Sequence, residues 1–180
     1  RAEFTDPEIM RTNLSAVILQ MQMLRLGDIY QFPFIDPPER RAVNDGYRLL
    51  QELGALDENR LINKKGRQMA RMPVDPRLAA MLLDAHDKAC LAEMLVIVSA
   101  LSVQDPRDTP AEKREAAREQ HRKYAHPESD FLGWLLLWND VETQRQDLSQ
   151  NHFRKFCKSS FLSWLRLREW RETHRQLLLA

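Results

Sequence analysis

The chain has 180 residues, of which 29% are charged and 43% hydrophobic, the balance of an ordinary folded protein, so wholesale disorder is excluded. That length suffices for one ample core or two small ones. A net charge of +1 names no partner, but residues 149–180 carry seven basic side chains against two acidic ones, a basic C-terminal surface.

Cys90 and Cys157 are far apart in sequence, with Cys90 inside an apolar run, which fits reduced thiols and a cytoplasmic setting better than a disulfide scaffold. Neither a signal peptide nor a membrane span is expected. Without an initiating methionine the chain reads as a piece of something longer, with residues 1–4 as a remnant of cloning.

In chain order, Asp6-Pro7-Glu8 predicts a helix start, continued to about residue 26 by Ile9, Leu14, Val17, Ile18, Met21 and Leu24 and ended by Gly27. Residues 28–38 contain three prolines and read as extended, with Phe32, Phe34 and Ile35 expected to pin the segment to a core. A helix over residues 39–53 buries Val43, Tyr47, Leu49, Leu50 and Leu53 and stops at Gly54. Residues 55–57 and 61–62 flank the polar turn Glu58-Asn59-Arg60, an expected hairpin, after which Asn63 caps a helix to about residue 72. That order is a winged helix or, equally, any small α+β packing unit.

Pro73-Val74-Asp75-Pro76 marks the expected boundary between domains at 1–73 and 74–180. Beyond it, residues 77–89 are amphipathic through Leu78, Met81, Leu82 and Ala85. Leu91, Met94, Leu95, Val96, Ile97, Val98, Ala100 and Leu101 then predict a helix buried on every side. Glu93 within it is expected to pair with a donor such as Arg77. Residues 111–124 read as a solvated helix or one lying across a partner. Ser129-Asp130 caps the next helix, a short one covers 151–158, and a last one spans about 160–178. The fold class is therefore mainly α: a small module with a β-hairpin, either a winged helix or another α+β unit, followed by an all-helical bundle.

No GxxxxGK[ST] loop and no GxGxxG is present, and the histidines and cysteines never fall at metal-ligand spacing. No catalytic constellation is complete, so the chain itself is not expected to be an enzyme or to hold a cofactor or metal.

A series of phrases carries a resemblance. Pro7-Glu8-Ile9-Met10-Arg11-Thr12-Asn13-Leu14, Leu26-Gly27-Asp28-Ile29, Phe32-Pro33-Phe34-Ile35-Asp36-Pro37-Pro38 and Leu49-Leu50-Gln51-Glu52-Leu53-Gly54-Ala55-Leu56 open it. Gly66-Arg67-Gln68-Met69-Ala70, Pro73-Val74-Asp75-Pro76-Arg77-Leu78-Ala79, Leu101-Ser102-Val103-Gln104-Asp105-Pro106-Arg107 and Ser129-Asp130-Phe131-Leu132 complete it. In this order they resemble the region after the motor domains of DEAH-box RNA helicases, most closely the bacterial HrpA-type branch. One departure is Asn63, where the family often caps with threonine; both can cap.

The resemblance implies a winged helix followed by a ratchet-like helicase-associated domain. ATP and Mg would belong to RecA-like domains elsewhere in the parent chain, with an OB-fold following. It implies a role in forming the channel for single-stranded RNA or DNA and in coupling the motor to unwinding, with the RecA-like and OB-fold domains as partners and no membrane. Channels of this kind need basic groups along phosphates and flat side chains near bases. Gln104 and Arg107, in the loop of residues 104–110, and Arg168, Arg171 and Arg175, at i, i+3 and i+7 beside Trp164, Leu167 and Trp170, are the nucleic-acid-binding candidates. The arginine stripe reads equally as a solvated helix flank, and the tryptophans as core. A module that docks proteins and touches no nucleic acid is the alternative.

Overall fold

The computed structural model describes residues 14–180, so the expected helix start at Asp6-Pro7-Glu8 lies outside the described residues. By packing, the chain divides into two compact units that meet between Leu83 and Asp84. The proline joint at residues 73–76 stands about two helical turns before that point.

In the first unit, α1 (Leu14–Leu24) buries Leu14, Ile18, Leu19 and Met21 against α2 (Arg40–Glu52). Val43, Tyr47 and Leu50 supply the α2 side of that core. The helices approach so closely that a Cβ on Gly46 would stand 2.8 Å from Ile18 Cδ1. Gly54 follows α2 in the left-handed region at φ +71, the helix stop that residue type favours. Asn63 caps α3 (Lys64–Arg71) by accepting from the Gly66 amide at 3.0 Å, and its own amide group donates to the Gly54 carbonyl at 2.9 Å. An amide can accept and donate at once, so this cap also ties α3 to the end of α2.

The expected hairpin is reduced to a turn with one antiparallel bridge, Leu56 to Ile62, and no strand occurs among the described residues. The reason lies in Asp57. Its side chain accepts from the Leu61 amide at 2.8 Å, its carbonyl accepts from Arg60 N at 3.0 Å, and Gln51 Nε2 donates to the same carbonyl at 3.0 Å. Local side chains thus satisfy backbone groups that a ladder would use. Residues 25–38 are irregular, but the expected anchoring needs correction. Ile29 is buried and Phe34 half-buried, whereas Phe32 is exposed and Ile35 is 99% exposed. Ile29 and Phe34 tether the segment, so Ile35 is left in solvent.

The chain continues through α4 (Pro76–Asp87), which buries Ala79, Ala80, Leu82 and Ala85. In the second unit α5 (Leu91–Leu101) is central, as its composition demands, with Leu95 to Ala100 all buried. Its ends are wetter than expected: Glu93 is exposed, so its proposed burial beside Arg77 is wrong. The first turn of α5 stands clear of the core and the carboxylate keeps its water. The polar stretch forms a 3-10 turn (Ala111–Lys113), α6 (Arg114–His121) and a second 3-10 turn (Arg122–Tyr124), anchored by buried Ala117 and Tyr124.

Three further helices complete the unit: α7 (Asp130–Asp147), α8 (Gln150–Ser159) and α9 (Trp164–Leu179). Serines cap all three, Ser129, Ser149 and Ser163 accepting from the amides of Phe131, His152 and Arg166. The last helix begins later than its apolar pattern implies, because residues 160–163 form a turn with Phe161 at φ 52.

Trp170 of α9 is fully enclosed, and its indole N–H donates to the Val96 carbonyl at 3.1 Å and to Ser99 Oγ at 2.9 Å. The Ser99 hydroxyl in turn donates to Val96 O at 2.9 Å. Trp134 and Trp138 of α7 meet the same ring edge-on, at centroid distances of 5.6 and 4.9 Å. Cys157 is buried among these helices, which pushes its thiol up to about 11 and leaves it unreactive at neutral pH. Neither cysteine is in a disulfide.

Replacing Trp170 by alanine is expected to cost about 3–5 kcal/mol, and Leu95→Ala about 2–5 kcal/mol, as core truncations. Urea denaturation followed by far-UV circular dichroism measures both; midpoints unchanged from wild type would displace α5 from the centre of the fold.

Candidate nucleic-acid interface

The loop after α5 is rigid because α9 holds it. Ser163 N donates to Pro106 O at 2.7 Å, Asp108 N to Phe161 O at 2.8 Å, and Arg166 Nη1 to Asp105 O at 3.0 Å and Asp108 Oδ1 at 2.8 Å. Within this frame Gln104 is exposed, but Arg107 is engaged. Its guanidinium forks onto Asp105, Nη2 to Oδ2 at 2.7 Å, and lies over the Trp134 ring 4.4 Å from the centroid. Asp105 and Trp134 thus engage both its charge and its flat face.

On α9 the three arginines share one face, as their spacing requires, yet their surroundings differ. Arg168 is exposed, 5.9 Å from the centroid of the Trp164 ring. Arg171 pairs with Glu142 of α7 at 2.6 Å, and the same carboxylate also holds Arg145 at 3.1 Å. Arg175 pairs with Glu172 at 2.7 Å, and that bond holds the Glu172 carboxyl below its usual range.

Arg168 and Arg171 line a cleft of about 350 Å³ together with Arg145, Gln150 and Trp164. Neither Arg107 nor Arg175 borders it. Three guanidiniums around one opening, with a tryptophan on its wall, form an arrangement suited to phosphate oxygens. Arg145 escapes a reading by stripe because it belongs to α7; its i, i+3 carboxylate, Glu142, was the available signal.

The neighbouring titratable groups are tuned by packing. His174 lies against Trp138, ring centroids 4.6 Å apart, and burial pushes its imidazole below the ordinary value, with Arg171 reinforcing and Glu142 opposing. Asp140 accepts from Lys123 Nζ at 2.8 Å and from the Tyr124 hydroxyl at 2.6 Å. Burial raises the Asp140 carboxyl, but these two bonds outweigh it and the net shift is downward. The Tyr124 hydroxyl is pushed up, first by burial and then by its bond to that carboxylate. No cluster of potential metal ligands occurs among the described residues. None of the described helices is long and apolar enough to cross a membrane.

Residues 47–74 match the winged-helix part, and residues 75–134 the ratchet-like part, of the helicase associated domain (HA2). Residues 47–134 thus carry both parts of HA2, the accessory region of DEAH-box RNA helicases. It is 51% identical, over 100% of its length, to the ATP-dependent RNA helicase HrpA homolog of Haemophilus influenzae. It is 50% identical, over 98% of its length, to the ATP-dependent RNA helicase HrpA of Escherichia coli. A more distant relative is the pre-mRNA-splicing factor ATP-dependent RNA helicase DEAH10 of Arabidopsis thaliana, 37% identical over 96% of this chain and 25% of that protein. The chain spans only 14% of the length of the two bacterial relatives.

Because the folded state holds the His174 imidazole below its ordinary value near 6.5, the unfolded chain binds that proton first. The resulting stability is present above about pH 6.5 and is lost as pH falls through the lower folded value. Melting temperatures recorded from pH 8 to pH 5 should fall, and His174→Gln should flatten the decline; parallel curves for the two proteins would refute it.

Proposed function

We propose that this chain is a non-catalytic accessory segment of an ATP-dependent DEAH-box RNA helicase. In this reading it helps form the channel for a single strand and couples the ATPase motor to unwinding. ATP and Mg then act at RecA-like domains elsewhere in the parent, in the cytoplasm. The division of labour follows residues 1–73 as winged helix and 74–180 as ratchet-like domain. The partners are single-stranded RNA, with DNA as a competitor, and the RecA-like and OB-fold domains of the parent chain.

The observation that carries the reading is the arginine-lined cleft between α7, α8 and α9, in a chain whose relatives are named as RNA helicases. Arg168 is the most available of the expected contacts, and Gln104 is exposed on its clamped loop. Arg107, Arg171 and Arg175 reach a phosphate by exchanging Asp105, Glu142 and Glu172 for it. For the pairs nearest solvent that exchange costs little, because exposed ion pairs contribute about 0–1 kcal/mol.

A docking role has its own support in the first unit. Leu26, Phe32 and Phe34 border an apolar hollow of about 410 Å³, with Ile35 exposed nearby in sequence, a surface of the kind that packs on another domain. This complements the channel reading, since the larger part of the relatives' length lies beyond this chain.

The chain should bind a fluorescent single-stranded RNA oligonucleotide with an affinity that falls linearly in log salt. Arg168→Gln with Arg171→Gln should weaken all sequences alike and flatten the slope by about 1.4, from about 0.7 for each phosphate contact. Fluorescence anisotropy across a salt series reads both quantities; binding that ignores salt would overturn the reading.

A further inference from the structure

The basic character of the C-terminal region is concentrated somewhere other than the α9 stripe. Of its seven basic residues, Arg166, Arg171 and Arg175 are held by Asp108, Glu142 and Glu172. The cations with no carboxylate in close ion-pair contact among the described residues are Arg168 and the three on α8: Arg154, Lys155 and Lys158. Those three line a groove of about 810 Å³, which Lys113 borders from the 3-10 turn Ala111–Lys113 and Trp164 borders from the start of α9. Two carboxylates also border it, Glu112 and Asp108, the latter already bonded to Arg166.

From this arrangement we infer that the groove between α8 and the Ala111–Lys113 turn is a second binding site for the sugar–phosphate backbone of single-stranded nucleic acid. Arg154, Lys158 and Lys113 serve as its phosphate contacts.

Three observations select that ligand. First, Arg154 and Lys158 are four residues apart on α8, about 6 Å along the axis, close to the backbone length of one nucleotide in an extended strand. Second, that i, i+4 like-charge spacing weakens a helix unless an anion sits between the two groups. Third, Arg154 lies over the Trp164 ring at 4.5 Å from the centroid, so its planar fork is already oriented for bidentate contact with phosphate oxygens. Trp164 is a positioning residue in this scheme. It also borders the Arg168–Arg171 cleft, so one strand can pass from one opening to the other along this wall.

The inference rests on the nucleic-acid reading proposed above, and its test separates the two. Anisotropy titrations with single-stranded RNA across a salt series would compare three proteins: the whole chain, the variant Lys113→Gln/Arg154→Gln/Lys158→Gln, and a charge-matched control Arg40→Gln/Arg41→Gln/Lys64→Gln. The groove variant should flatten the slope of log affinity against log salt by about 2, and the control should leave it unchanged. If the triple variant melts early, Lys113→Gln/Lys158→Gln, which leaves the Arg154–Trp164 stack intact, should flatten it by about 1.4.

Binding with an unaltered slope in the groove variants overturns this inference and leaves the channel reading standing. No binding of RNA by the wild-type chain at any salt overturns both. Polyglutamate bound as tightly as RNA, and lost in the same variant, would assign the groove to an acidic protein segment and overturn it as well.

Discussion

The second unit depends on where one indole N–H finds its acceptors. Trp170 brings a large apolar surface into the interior together with one donor, and that donor must be satisfied there. Val96 O and Ser99 Oγ meet it from α5, while Trp134 and Trp138 enclose the ring from α7. Hydrogen bonding therefore fixes both the height and the rotation of α9 against α5, and the tryptophan edges fix α7 against both. The positions of Arg145, Arg168 and Arg171 around their cleft follow from that, since they ride on α7 and α9. Ser99, a polar interruption in an apolar helix, is the residue that makes the arrangement specific.

Electrostatics then decide which of the basic groups remain available. An arginine with a carboxylate within 3 Å is partly neutralised for any other anion, whereas one without such a neighbour presents its full charge to a ligand. Glu142 serves both Arg145 and Arg171 from α7, and Glu172 serves Arg175 from one turn away. The acidic residues thus narrow a broad basic face to α8 and Arg168. Ionic strength screens these last groups directly, since all four are exposed.

Much of the fold was legible because the relevant physics is local. Asn63 and Ser129 announce their helices by side chains that accept from amides two or three residues on, and Gly54 announces an end by its freedom at positive φ. The uniform apolarity of residues 94–98 gives the central helix directly. What was not legible depends on contacts between distant segments. Nothing near Arg107 in sequence reveals that Trp134 will cover it, and nothing near Arg171 reveals Glu142. The hairpin is reduced for a different reason: residues 55–62 have the right apolar spacing, but Asp57 and Gln51 saturate the turn before a second bridge can form. Ile35 has the composition of an anchor, yet Ile29 reaches the core first and leaves it outside.

The turn between α8 and α9 contains Phe161 with a backbone twist that side-chain-bearing residues rarely adopt. Its carbonyl oxygen accepts from the Asp108 amide, and His121 Nε2 lies 3.0 Å from the same atom. A single oxygen is thus shared by the loop following α5, the end of α6 and the joint that carries α8 into α9. Tension applied to any one of these segments is felt at once by the other two. The groove wall and the Asp105–Asp108 loop are accordingly tied through this one atom, so a displacement of either strains the same acceptor.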